Sequence, residues 1–170
     1  MNGRRLPGLV LALLVLASLG ACALVPDGDG LTGEVVPGEG VTIGQGRFPD
    51  GTEWTIRATR SGNDVCTRGT IGGADHGVSC TTVLGEPMSG FGMSSGTDSP
   101  TVLTGFYGPQ VAALKVEASD GIHDVPLVPV TGLGLGGSGF GFALPPGVRS
   151  VAVTTWDASG ALIDRIETGP

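Results

Sequence analysis

Gly92-Met93-Ser94-Ser95-Gly96 has the spacing G-x-S-x-G, that of a nucleophile elbow. In hydrolases the motif works because a sharp strand-to-helix turn exposes the serine beside backbone oxyanion donors. Ser94 would need a base, and His123-Asp124 supplies an imidazole and a carboxylate. The chain order is against it, because in such hydrolases the acid precedes the histidine. The context is against it too. Thr97-Asp98-Ser99-Pro100 follows and leads into a β-branched run, not a helix. A small serine hydrolase using Ser94 and His123 is therefore the alternative reading, and a Gly/Ser-rich surface loop is preferred.

Metal chemistry has an inventory but no arrangement. A blue-copper site wants two His, one Cys and a weak axial Met, and His76, Cys80, Met88, Met93 and His123 supply the types. No histidine follows Cys80 closely, and no CxxC or HxxxH spacing accompanies His76, so no metal or other cofactor is expected. Asp27 and Asp29 come nearest to a calcium loop but lack the later acidic ligands. GDGLTG (28–33) and GLGGSG (134–139) both match G-x-G-x-x-G. That fingerprint holds a pyrophosphate only where a strand passes into a helix N-terminus. Neither segment offers that context, and in a chain with 32 glycines two matches are background.

The elements that would position these residues read as strands. In TEWTIRATR, Trp54, Ile56 and Ala58 fall on one face while Thr55, Arg57 and Thr59 fall on the other. That is the period-two pattern of a half-buried strand, and it places Trp54 in a core. VSCTTVL (78–84), TVLTGFY (101–107) and FGFAL continue the theme, with Phe140, Phe142 and Leu144 sharing one face. His76 reads as a turn residue, His123 as a strand-surface residue and Trp156 as an exposed aromatic at a hairpin mouth. No stretch of ten residues carries a helical stripe.

A weak internal repeat links GPQVAALKVEASDG (108–121) and PPGVRSVAVTTWDASG (145–160). Val111, Leu114 and Val116 match Val148, Val151 and Val153, and both frames end in an Asp/Ser-Gly turn suited to a hairpin. Residues two apart on a strand share a face. Leu114 with Val116, and Val151 with Val153, are thus expected inside, while Lys115 and Glu117 face water. Turn signals about every ten residues indicate an all-β fold. The expected form is an immunoglobulin-like antiparallel β-sandwich of eight to ten short strands. Residues 44–167 also resemble exported β-sandwich domains of high-GC Gram-positive bacteria.

The N-terminus carries an address. Arg4 and Arg5 precede an apolar run from Gly8 to Leu19, too short for the roughly 20 residues of a spanning helix. Positive start, short apolar core and small-residue exit make an export signal. Its end, Leu19-Gly20-Ala21-Cys22, resembles the lipobox of bacterial lipoproteins. The resemblance implies a diacylglycerol on the Cys22 thiol and cleavage before it. An ordinary signal peptidase could instead cut after Ala23. If Cys22 carries lipid, Cys66 and Cys80 remain as one pair in a compartment where disulfides persist.

Three regions follow: a signal peptide at 1–21, a Gly/Pro/acidic tether at 22–40 and the sandwich at 41–170. Without Arg4 and Arg5, seven Lys and Arg face 16 Asp and Glu, a net charge near −9. Such a chain cannot neutralise a row of phosphates, so nucleic acid is excluded as a partner. The expectation is a non-enzymatic lipoprotein on the extracytoplasmic face of the cell membrane. Its sandwich would bind a protein or cell-wall partner, or serve structure.

Overall fold

The computed structural model describes residues 40–82, 89–96 and 98–168. Strands β1 (Val41–Arg47), β2 (Glu53–Ser61), β3 (Asp64–Ile71), β4 (Ala74–Thr82), β5 (Ser89–Gly96) and β6 (Ser99–Tyr107) come first. They are followed by β7 (Ala113–Ala118), β8 (Gly121–Asp124), β9 (Val128–Pro129), β10 (Ser138–Leu144), β11 (Ser150–Trp156) and β12 (Leu162–Glu167). The class is the expected all-β antiparallel sandwich, with twelve strands among the described residues in place of eight to ten. They form three four-stranded sheets: β1-β2-β3-β4, β5-β6-β10-β9 and β12-β11-β7-β8.

The middle sheet is β5-β6-β10-β9, because its two faces feed two separate cores. One core joins Ile43, Trp54, Ile56, Ala58 and Val65 of the N-terminal sheet to Val102, Phe106 and Ala143. The other joins Leu103, Tyr107, Phe140 and Leu144 to Leu114, Val116 and Val153 of the C-terminal sheet. Fully burying a side chain such as Phe140 or Ile56 contributes roughly 1.5–3 kcal/mol.

Being covered twice changes the grammar of the middle strands. An antiparallel strand with one wet face alternates apolar and polar residues, as β2 does with Trp54, Ile56 and Ala58 buried. β6 and β10 have no such wet face. Phe140 and Leu144 fill the C-terminal core, and Phe142, half-buried, packs against both cores, its ring edge-on to Trp54. The alternate positions Gly139, Gly141 and Ala143 stay small where the N-terminal sheet presses close.

The repeat is half realised. Val111, Leu114 and Val116 are buried, and so is Val153, but Val151 is 44 % exposed. The expected inward Val151 is corrected by a bulge. Ser150 pairs with Ala118 and Ala152 with Glu117, leaving Val151 without a partner on β7. A bulge inserts one residue and breaks the two-residue alternation. The repeated segments also lie beside each other, Val116 opposite Val153 and Leu114 opposite Thr155.

On the outer face of that sheet Arg165 donates to both carboxylate oxygens of Glu117, Nη2 to Oε2 at 2.8 Å, and covers Thr154. The pair holds the Glu117 carboxyl below its usual range, chiefly through the Arg165 hydrogen bonds.

Candidate functional site

β3 and β4 meet β5 and β6 across a groove of about 170 Å3. Its position follows from what the strands offer the space between the sheets. Val65 and Val102 belong to the core, but the next inward positions on β3 are Thr67 and Gly69, which cannot fill it. Thr67, His76, Ser79, Ser94 and Thr104 line the space with hydroxyls and one imidazole, and Val102 adds an apolar wall. Among the described residues no carboxylate lines it, in a chain whose net charge is −7.

His76 reaches the groove because the sequence breaks its own alternation. The β3–β4 register shifts between Arg68 and Thr70, and Gly77 takes φ +99°, a conformation that glycine adopts readily. The kink turns His76 towards Gly69; a Cβ added there would stand 3.8 Å from the His76 Cβ. His76 is therefore a half-buried strand residue, not the turn residue expected. Its Nε2 lies 3.1 Å from the Pro100 carbonyl oxygen. A carbonyl only accepts, so Nε2 carries the proton and Nδ1 of the neutral ring is an acceptor.

Ser94 and His123 are not brought together. Ser94 pairs with Val102 on the face of the middle sheet that looks to the N-terminal sheet. His123 stands on β8 opposite Val116, in the C-terminal sheet. Its Nε2 is 2.9 Å from Asp120 Oδ1, and its ring packs 5.2 Å from that of Phe142. The histidine that shares a cavity with Ser94 is His76, and no hydrogen bond joins the two. The expected loop around Ser94 is strand β5.

Cys66 and Cys80 form a disulfide between directly opposed residues of β3 and β4, their Cα atoms 4.0 Å apart. The copper inventory is dispersed accordingly: Cys80 is bridged, and Met88 lies outside the described residues. Among the described residues no three His, Cys, Asp or Glu side chains come together. Cys22, with the tether behind it, also lies outside them.

Trp54 is in the core as expected. Trp156 is half-buried, with Lys115 Nζ 6.0 Å from its ring centre. Comparison with known proteins finds no matching family model, no similar curated protein and no similar solved structure.

The groove was not legible beforehand. Its hydroxyls come one from each of four strands, and only the pairing of β3 with β4 and β5 with β6 gathers them. The one local signal was His76-Gly77, where a glycine interrupts a strand pattern and marks a bulge.

Proposed function

We propose that this chain is an exported lipoprotein, held at the extracytoplasmic face of the cell membrane by a lipid on Cys22. Its β-sandwich binds a protein or cell-wall partner. The anchor rests on the Leu19-Gly20-Ala21-Cys22 sequence after a short apolar run. The observation that carries binding over hydrolysis is the setting of Ser94. A serine nucleophile needs a base within about 2.6–3.2 Å that is itself oriented by a third group. His76 is oriented by Pro100 yet makes no hydrogen bond to Ser94, and among the described residues the groove wall offers no acid.

Membrane fractionation with N-terminal mapping tests the anchor. The intact protein should partition with membranes and begin at a lipid-modified Cys22, and Cys22→Ser should release or stall it. A mature N-terminus at Leu24 would end the lipoprotein reading.

A further inference from the structure

We infer that the free edge of β4 accepts an extended segment of a partner protein as a fifth strand of the N-terminal sheet. This deepens the binding reading above and rests on it, but not on the lipid anchor. An edge strand carries a row of unpaired backbone donors and acceptors, which proteins blunt with charge, proline, bulges or brevity. The other edges here are blunted. β8 has four residues and β9 two. β12 carries Asp164, Arg165 and Glu167 and an irregularity near Ile163. β1 is bulged between Thr42 and Gly44; β5 is irregular between Ser94 and Gly96, and its regular part, 89–94, is weakened as a strand by Gly90 and Gly92.

β4 is different. Its bulge and its ionisable residues, Asp75 and His76, lie near the β3 turn. From Val78 to Thr82 it is regular, uncharged and free of proline, and among the described residues no strand pairs with its outer side.

The backbone direction along that stretch follows from the ladder. Directly opposed residues alternate between hydrogen-bonded pairs, about 5.5 Å apart, and non-hydrogen-bonded pairs, about 4.5 Å apart. Cys66 and Cys80, at 4.0 Å, are of the second kind. Two contacts agree. Thr59 Oγ1 donates to the Cys66 carbonyl from the β2 side, and Thr67 Oγ1 donates to the Ser79 carbonyl from the β3 side. Ser79 and Thr81 thus point their amides at β3. Val78, Cys80 and Thr82 point theirs away from β3, to the side where no strand pairs among the described residues.

Added strands gain affinity from main-chain hydrogen bonds and specificity from pockets that take alternate side chains. The groove beside β4 is such a pocket. Its 170 Å3 is well below the roughly 300–1,000 Å3 of a small-molecule site and suits one or two side chains. Among the described residues its wall combines hydroxyls and an imidazole with the apolar Val78, Met93 and Val102 and holds no carboxylate, which suits an uncharged side chain that can both pack and hydrogen-bond: Ser, Thr, Asn or Gln. A second copy of this chain is disfavoured as occupant, since two molecules of net charge −7 repel.

Selection of a random nonapeptide library on the intact protein tests the inference. Enriched peptides should be uncharged and should slow amide exchange at Val78, Cys80 and Thr82 at least tenfold. Thr82→Pro deletes an outward amide, a change that edge strands tolerate, and should weaken binding at least tenfold. Methylating alternate peptide nitrogens should do the same without altering the protein. No enrichment, or peptides that bind Thr82→Pro and the parent equally, would overturn the edge site. Peptides that protect β12 amides instead would overturn it while sparing the binding reading. A dimer in sedimentation that Thr82→Pro dissolves would overturn the foreign partner in favour of a second copy.

Discussion

Gly44 of β1 and Gly141 of β10 stand back to back across the interface of the N-terminal and middle sheets. A Cβ placed on Gly44 would lie 1.9 Å from the Gly141 carbonyl oxygen, and one on Gly141 would lie 2.8 Å from the Ile56 Cβ. The contact is backbone against backbone, so no rotamer change can relieve it.

Gly44→Ala should therefore destabilise by about 3 kcal/mol or more, at or beyond the upper end of ordinary overpacking. Gly92→Ala is the control, because its Cβ would meet Thr104 at an ordinary 3.6 Å and should change stability by about 1 kcal/mol or less. Urea unfolding of the two variants decides. Equal midpoints would mean that the two sheets do not meet at these glycines.

The repeat yields a second pair. Leu114 is 2 % exposed and Val151 44 %, although the sequence frame matches them. Leu114→Ala should cost about 2–5 kcal/mol, whereas Val151→Ala and Lys115→Ala should each stay within about 0.5 kcal/mol. A large loss at Val151 would place it in the core and remove the bulge.

These positions show what the letters could reveal. β2 was legible because Trp54, Ile56 and Ala58 alternate with polar residues, which is a purely local pattern. The Val151 bulge was not, because Ser150-Val151-Ala152-Val153 reads as unbroken strand. Only the register against β7 shows that one residue is in excess. The third sheet was hidden for a related reason. A strand buried on both faces differs from one buried on a single face only in the small residues opposite its large ones, and FGFAL shows the face of Phe140, Phe142 and Leu144 without showing what covers Gly139, Gly141 and Ala143. Ser94 and His123 were found as residues, but strand order, which the sequence does not print, sets them on opposite sides of the middle sheet.

The disulfide makes its own prediction. β4 buries no side chain, and only His76 is even half-covered, so the ladder and the Cys66–Cys80 bond hold it to β3. Closing a loop of 14-residue separation is worth about 3 kcal/mol in the chain-entropy account. In the Cys66→Ala/Cys80→Ala double variant, Ser79 and Thr81 amides should exchange faster before those of Ile56 and Val116 respond. Uniform loss of protection across all three sheets would show instead that β4 unfolds only with the whole.

The last prediction concerns Tyr107, the only tyrosine in the chain. Its ring stacks on Phe140 at 5.9 Å, and its hydroxyl is buried without a protein partner. Burial, with the Asp164 charge adding to it, pushes the phenol from an ordinary value near 10 up to about 12. The sign follows from which state ionises first. Above pH 10 the unfolded chain gives up the phenolic proton while the folded chain keeps it, so stability falls as pH rises from 10 towards 12. Tyrosinate absorbance of the folded protein reports this group alone, and its midpoint should lie well above that of the unfolded chain. Tyr107→Phe should abolish the tyrosine-linked part of the alkaline loss. At neutral pH it should leave stability unchanged or raise it by up to about 1 kcal/mol, since it removes a polar atom buried without compensation. A folded-state midpoint near 10 would mean that the hydroxyl reaches water and that the packing of the middle sheet against the C-terminal sheet is looser at this end than the stacked rings imply.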